Sequence, residues 1–205
     1  MPRRPIVRAA LIGLGLLPLF VSAAAAAEEK LHHELDVFLD PAASKLVVTD
    51  RIKVSGHSTL AIKLAPGLEL NEALIDGNVV SPTTDDGVLW IELASEEANE
   101  VTLSYGGVLK RDDSRGGLSP LLAEEGGFLP YGLGWLANGG AENDWVTYEL
   151  NVTSPAPYQV VATGEMTEET EDNGEYKATF VATHRTEPPS IFAGEFKIDE
   201  RDHEG

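Results

Sequence analysis

The feature that most constrains this chain is an alternation of apolar and polar residues with a period of two. Successive side chains of a β-strand point to opposite faces, so the alternation predicts strands with one buried side. The runs 32–39 and 45–54 flank the turn DPAAS (40–44) and predict a hairpin, in which Asp50 is the polar exception on the apolar face. The residues assigned to the apolar faces of these two runs are His33, Leu35, Val37, Leu39, Leu46, Val48, Ile52 and Val54.

Turn signals separate the later runs of alternation. Asp76-Gly77 stands between the apolar pairs of ALIDGNVV, and EDNG (171–174) stands between two further runs. Such pairs tolerate positive φ at both turn positions and therefore predict tight hairpins. The stretch SPLLAEEGG (119–127) predicts at most one short helical turn. The predicted fold class is all-β, with antiparallel sheets in a sandwich or saddle.

The alternation breaks between Gly106 and Gly140, where the segment GGFLPYGLGWLANGG (126–140) contains six glycines. Its piece GLGWLA (132–137) formally fits the dinucleotide motif G-x-G-x-x-[GA]. That motif requires a strand before it and a helix after it, whereas Pro130 precedes this one and the polar stretch NGGAENDW follows. The segment is therefore predicted to be a long crossover between two groups of strands.

The first 27 residues predict a secretory signal peptide. Arg3, Arg4 and Arg8 precede an apolar run that ends in small residues, and Ala27 fits a cleavage position. Pro18 and the abrupt alanine end argue against a membrane anchor. We expect a periplasmic or secreted bacterial product, with residues 28–205 as one domain and no membrane association in the mature form. The chain has no cysteine, so no disulfide contributes to its stability.

The charge of the predicted mature chain restricts the kinds of molecule that it can bind. It carries 12 basic and 34 acidic side chains, a net charge of about −22 with histidine neutral. Such a surface repels phosphate groups, which argues against binding to nucleic acid or to anionic lipid.

The sequence offers no catalytic, cofactor-binding or metal-ligating constellation of its own. It contains neither H-E-x-x-H nor G-x-S-x-G. His33-Glu34 begins a zinc-type motif, but it lies in a predicted strand, and Val37 stands where the second histidine is needed. We therefore predict no catalytic residue and no cofactor in this chain.

Several weak motifs occur in a characteristic order. The aromatic-proline segment GFLPY (127–131) precedes a strand of the kind F-x-L-x-V-x-x-P-x-x-Y-x-V-V-A-x-G, and a short apolar strand, Ile191–Phe196, ends in Gly-x-[FY]. The residues that match the long pattern are Tyr148, Leu150, Val152, Pro155, Tyr158, Val160, Val161, Ala162 and Gly164. Over residues 31–201 this order resembles the N-terminal β domain of the zinc aminopeptidases typified by aminopeptidase N (alanyl aminopeptidase).

The resemblance implies a domain without catalytic groups. Members of that family carry H-E-x-x-H, a downstream glutamate and G-x-M-E-N in a separate catalytic domain, so zinc is expected there and not in this chain. The β domain packs on the catalytic domain and borders its peptide cleft. We accordingly assign Phe128, Tyr131 and Trp135 as domain-contact residues. In the family an acid or an amide just upstream of the aromatic-proline segment helps to hold the free amine of the peptide, which makes Glu124 and Glu125 candidates for the substrate edge.

Two other interpretations remain open from the sequence. The chain fits a free-standing secreted β-sandwich that binds a protein or a glycan. It also fits a small β-barrel that carries an apolar ligand, with residues 128–136 at its mouth.

Overall fold

The computed structural model of the chain describes residues 30–95, 98–109, 120–137 and 145–196. Within these ranges the chain forms strands and no helix, which confirms the all-β prediction. The strands are β1 (Lys30–Asp40), β2 (Lys45–Ser55), β3 (Thr59–Ile62), β4 (Leu68–Ile75), β5 (Asn78–Val79), β6 (Thr83–Asp85), β7 (Val88–Glu92), β8 (Asn99–Val108), β9 (Leu121–Ala123), β10 (Gly126–Leu129), β11 (Val146–Pro155), β12 (Gln159–Ala162), β13 (Glu165–Asp172), β14 (Glu175–Thr186) and β15 (Ile191–Gly194).

The strands form three sheets. An eight-stranded sheet has the order β13-β14-β11-β1-β2-β8-β4-β5. A four-stranded sheet has the order β12-β15-β10-β9, and a three-stranded sheet has the order β3-β7-β6. The glycine-rich segment thus contributes β10 to the middle of the four-stranded sheet. The predicted signal peptide, residues 1–27, lies outside the described residues, and no helix of the described part is long and apolar enough to cross a membrane.

The predicted hairpin of β1 and β2 is present, and the residues predicted for its apolar face are buried. Leu35 lies opposite Asp50 and Val37 lies opposite Val48, and all four side chains are buried. One neighbour of β1 was not expected: β1 pairs with β11 in parallel, from Leu31 opposite Val146 onward. All other strand pairs in the described ranges are antiparallel. Parallel neighbours need a long connection between them, and the strands from β2 to β10 lie within that connection.

Three tight turns have positive φ at both central residues. Asp76 and Gly77 join β4 to β5, and Asn173 and Gly174 join β13 to β14, which confirms the two predicted hairpins. Asp86-Gly87 makes a third turn of this kind between β6 and β7. These two-residue connections match the right-handed twist of the flanking strands.

The short helical turn expected at 119–127 is wrong for the described part of that stretch. Residues 121–129 instead form the hairpin of β9 and β10, with Ala123 opposite Gly126. The glycine at 126 suits this arrangement, since its φ is 144° and a Cβ there would lie 2.4 Å from the carbonyl oxygen of Ala193 on β15. Sheet pairing with β15 therefore decides the conformation over a weak local preference for helix.

Candidate functional site

An apolar row crosses the solvent face of the four-stranded sheet. Cross-strand pairing places Leu121 beside Phe128, Phe128 beside Phe192, and Phe192 beside Val161. Leu121, Phe192 and Val161 are 40%, 44% and 53% exposed, and Phe128 is half-buried. The rings of Phe128 and Phe192 stack with their centroids 5.1 Å apart. We call these four residues the apolar strip.

The opposite face of the same sheet belongs to the core. Leu122, Ala193 and Val160 occupy the next positions on their strands and are buried. Side chains along these strands thus point alternately to the core and to solvent, but both faces of the sheet are apolar at this level. The outer apolar side chains do not stabilise the core of this chain by burial, because they stay in contact with water. Their presence therefore needs another explanation.

The solvent face of the eight-stranded sheet has a different chemistry. Arg51 donates to Asp36 with Nη2 2.9 Å from Oδ2, and Lys53 donates to Glu34. The hydrogen bond from Lys53 lowers the pKa of Glu34, and the hydrogen bond to Asp36 raises the pKa of Arg51. Asn151 extends the network to Thr179. Paired charges on exposed strands are suited to contact with water, which the aligned side chains of the apolar strip are not.

The three predicted domain-contact residues occupy different environments. Phe128 lies in the apolar strip, and Tyr131 is 36% exposed, with its backbone N–H donating to Ser190 Oγ at 3.0 Å. Trp135 has no exposed surface at all. The assignment of Trp135 as a contact residue therefore needs correction, because its ring already packs inside this chain.

Two hydrogen bonds, one from the side chain of Trp135 and one to its backbone carbonyl oxygen, hold Trp135 in its buried position. Its Nε1 donates to the carbonyl oxygen of Pro130 at 3.0 Å, and its own carbonyl oxygen accepts from Tyr105 Oη at 2.7 Å. Next to it, the carbonyl oxygen of Gly134 accepts from Ala65 N–H at 2.6 Å. Tryptophan combines a large apolar body with one donor, which suits a core position where the donor has a partner. The tryptophan thus anchors the glycine-rich segment to the eight-stranded sheet.

Glu124 and Glu125 form the turn between β9 and β10 and are exposed. The carbonyl oxygen of Glu124 accepts a hydrogen bond from Tyr158 Oη at 2.8 Å. Burial raises the pKa of Tyr158, and the carboxylates of Glu124, Glu195, Asp40 and Glu125 raise it further. The Tyr158 hydroxyl therefore lies against the backbone of the acidic β9–β10 turn. Contact of Glu124 and Glu125 with substrate stays a prediction.

The described histidines do not assemble into a metal site. His32 Nδ1 lies 2.8 Å from Thr147 Oγ1, and His33 Nδ1 lies within 3.0 Å of both carboxylate oxygens of Asp50. His184 contacts Thr183, and His203 is outside the described residues. In the ranges given above, no three His, Asp or Glu side chains are close enough together to hold a metal ion. Zinc does not fit the residues described, and its place in another domain stays a prediction.

Sequence reasoning missed three members of the apolar strip, namely Leu121, Phe192 and Val161. Alternation within VVA (160–162) and IFA (191–193) indicates which residues share a face of each strand. It does not indicate that β10 lies between β15 and β9, which is what aligns the four side chains into one row.

Comparison of the sequence with protein-family models and with curated proteins finds no match. The fold, by contrast, is similar to solved structures of zinc peptidases. The M1 zinc metallopeptidase from Deinococcus radiodurans bound to a Tyr-Ser-Ala substrate superposes with a TM-score of 0.67 at 19% identity, over 81% of this chain and 42% of that one. A two-domain M1 zinc metallopeptidase bound to L-arginine gives 0.66 at 20% identity, with the same coverage.

A larger enzyme gives a similar superposition. Legionella pneumophila aminopeptidase A, in complex with aspartic acid, matches with a TM-score of 0.66 at 12% identity, over 82% of this chain and 21% of that one. The chain thus spans less than half the length of these proteins. At such identities the likeness shows a shared fold, and it confirms the fold that the sequence resemblance implied.

Proposed function

We propose that this chain is the non-catalytic β domain of an exported, aminopeptidase-like zinc metallopeptidase, which packs on a catalytic domain and borders its peptide cleft. The observation that carries the proposal is the asymmetry of the structural match. About four-fifths of this chain superposes on M1 zinc metallopeptidases, yet it accounts for only 42% of the shorter ones. The matched part is a β domain in which the described residues hold no metal-binding group.

In this role the chain contributes binding surface and shape. Zinc bound in the catalytic domain would supply the Lewis-acid chemistry for hydrolysis of the peptide bond. The chain's own contribution is to restrict one side of the cleft and to place charge near the substrate. Glu124 and Glu125, exposed at the β9–β10 turn, are the acids proposed to meet the peptide's free amine. A carboxylate suits this task because it accepts charge-assisted hydrogen bonds from an ammonium group.

The reading frame beyond Gly205 tests the proposal directly. We expect H-E-x-x-H and G-x-M-E-N within the following few hundred residues. The polypeptide that contains both parts should release amino acids from the N-terminus of peptides, with loss of activity on zinc chelation. This chain alone should release none. A natural stop codon directly after Gly205 would contradict the proposal and favour a free-standing β-sandwich that binds a protein or a glycan.

Localisation is tested separately. We propose cleavage near Ala27 and export to the periplasm or the medium. Mass spectrometry of the protein recovered from the periplasmic fraction should give an N-terminus at Glu28. Recovery of the uncleaved chain from the cytoplasm alone would contradict export without bearing on the domain assignment.

A further inference from the structure

No other part of the described chain covers the apolar strip, although its side chains are aligned across the strands in the way that buried side chains are. One residue from each strand of the four-stranded sheet contributes to it, in direct cross-strand register. Charged groups make up a large share of the predicted mature chain, yet none stands in this row. Contiguous apolar surface on a soluble protein marks a place of contact with another surface.

We infer that the apolar strip is the surface by which this chain docks on the catalytic domain, against a face of that domain that is itself apolar. The inference rests on the proposed function. It adds which sheet makes the contact and what chemistry the partner brings. It also replaces Trp135, which is buried, with Phe192, Val161 and Leu121, which are exposed.

The occupant follows from the chain that the matched structures contain beyond this part. This chain accounts for only 42% of the shorter M1 zinc metallopeptidases, so more than half of such a polypeptide is available to cover the strip.

A second copy of this chain is a poorer occupant of the strip. Two copies meeting through the same face place the same apolar residues together, which is favourable. They also bring together two proteins of about −22 charge each, and each carries the exposed acidic turn Glu124–Glu125 at one end of the same sheet. The solvent face of the eight-stranded sheet is a poorer docking surface, because Arg51 and Lys53 on it are already paired with Asp36 and Glu34.

The experiment compares the strip in two settings. Hydroxyl-radical labelling, read by mass spectrometry, is applied to the mature chain and to the longer polypeptide that contains it. We expect Phe128 and Phe192 to be labelled several-fold more slowly in the longer polypeptide. Met166 on β13 and Val79 on β5, which are exposed apolar residues elsewhere, should be labelled equally in both.

Variants give an independent thermodynamic measurement. Phe128→Thr with Phe192→Thr should lower the unfolding temperature of the longer polypeptide clearly more than that of the mature chain, where the strip is already in water. Met166→Thr with Val79→Thr is the matched control and should affect both proteins alike. Threonine favours strands, so the substitutions preserve the sheet.

The outcomes separate the inference from the function on which it rests. Equal labelling of Phe128 and Phe192 in both proteins, in a polypeptide that is an active zinc peptidase, overturns the docking surface and leaves the proposed function standing. Absence of a downstream peptidase domain overturns both. Concentration-dependent dimerisation of the mature chain that is lost in the Phe128→Thr/Phe192→Thr variant assigns the strip to a second copy and also overturns the inference.

Discussion

His33 on β1 and Asp50 on β2 form a hydrogen-bonded pair with no exposed surface, with Nδ1 2.9 Å from Oδ2 and 3.0 Å from Oδ1. Both side chains occupy positions where the alternation places apolar residues. His33 Nε2 has no hydrogen-bond partner among the described residues. Each residue therefore explains why the other is tolerated in the core, since burial of an unpaired polar group is costly.

Removing one member of this pair should destabilise the fold strongly. We expect Asp50→Ala to lower the free energy of unfolding by about 3–5 kcal/mol, because it leaves a buried imidazole unpaired. The combined variant His33→Phe/Asp50→Leu should recover much of that loss, since apolar residues of similar size can replace a buried polar pair. Urea unfolding followed by circular dichroism measures both. A double variant that is no more stable than Asp50→Ala would contradict the explanation.

The fold should lose stability in alkali because of its buried tyrosines. Burial raises the pKa of Tyr105, Tyr148 and Tyr176, and a hydrogen bond to Glu169 raises the pKa of Tyr176 further. Unfolded tyrosine ionises near pH 10, so below about that pH the phenols are protonated in both states. Above it the unfolded state loses protons first, and the free energy of unfolding falls as pH rises.

Unfolding temperatures measured between about pH 9 and pH 11 test this dependence. Tyr176→Phe removes one of the titrating groups and should make the fall less steep, even if the variant starts from a lower stability. A slope that is the same in the variant and in the unsubstituted chain would show that Tyr176 does not contribute.

Two glycines of the segment 131–137 should lose stability for different reasons when a side chain is added. Gly132 has a φ of 77° with no atom within 4 Å of a built Cβ, whereas Gly134 has a φ of 89° and its Cβ would lie 2.6 Å from the carbonyl oxygen of Lys63. We expect Gly132→Ala to cost about 1–2 kcal/mol from the left-handed backbone alone. Gly134→Ala should cost about 1–3 kcal/mol more, because the backbone of residues 63–65 must move. Equal losses of stability in the two variants would contradict close packing at Gly134.

If Glu124 and Glu125 meet the free amine of a peptide, they should affect substrate binding in the longer polypeptide. We expect Glu124→Ala/Glu125→Ala to raise the KM for a peptide about tenfold, which is the loss of one hydrogen bond to a charged group, about 1.5 kcal/mol. The control is Glu168→Ala/Glu171→Ala, which removes the same charge from exposed positions on β13. An unchanged KM in the first variant would show that these acids do not contact substrate.

Much of the local structure was predictable from the sequence. Alternation identified the strands and their buried faces, and Asp76-Gly77 and Asn173-Gly174 marked two tight turns. These features depend on residues that are close in the chain. The short helical turn expected near 119–127 failed because pairing with β15 outweighs a local preference.

The candidate site was less accessible to sequence reasoning. Phe128 was identified as a contact residue from the sequence. Its neighbour in the strip, Phe192, lies more than 60 residues away in the chain, so the pair was not predicted. Trp135 was expected to contact a second domain, because it is one of three aromatic residues in a segment predicted to be a crossover. Its burial depends on Tyr105 and Ala65, which belong to other parts of the chain.

The sequence by itself determined the class of fold, the positions of most strands and the faces that they bury, because a period of two and a turn residue act over a few neighbouring residues. Only the tertiary structure decided that β1 and β11 lie side by side in parallel, that Asp50 meets His33, and that four exposed apolar side chains form one row. Each of these depends on the register between strands distant in the chain. Register is set by the packing of the whole sheet, which no local pattern specifies.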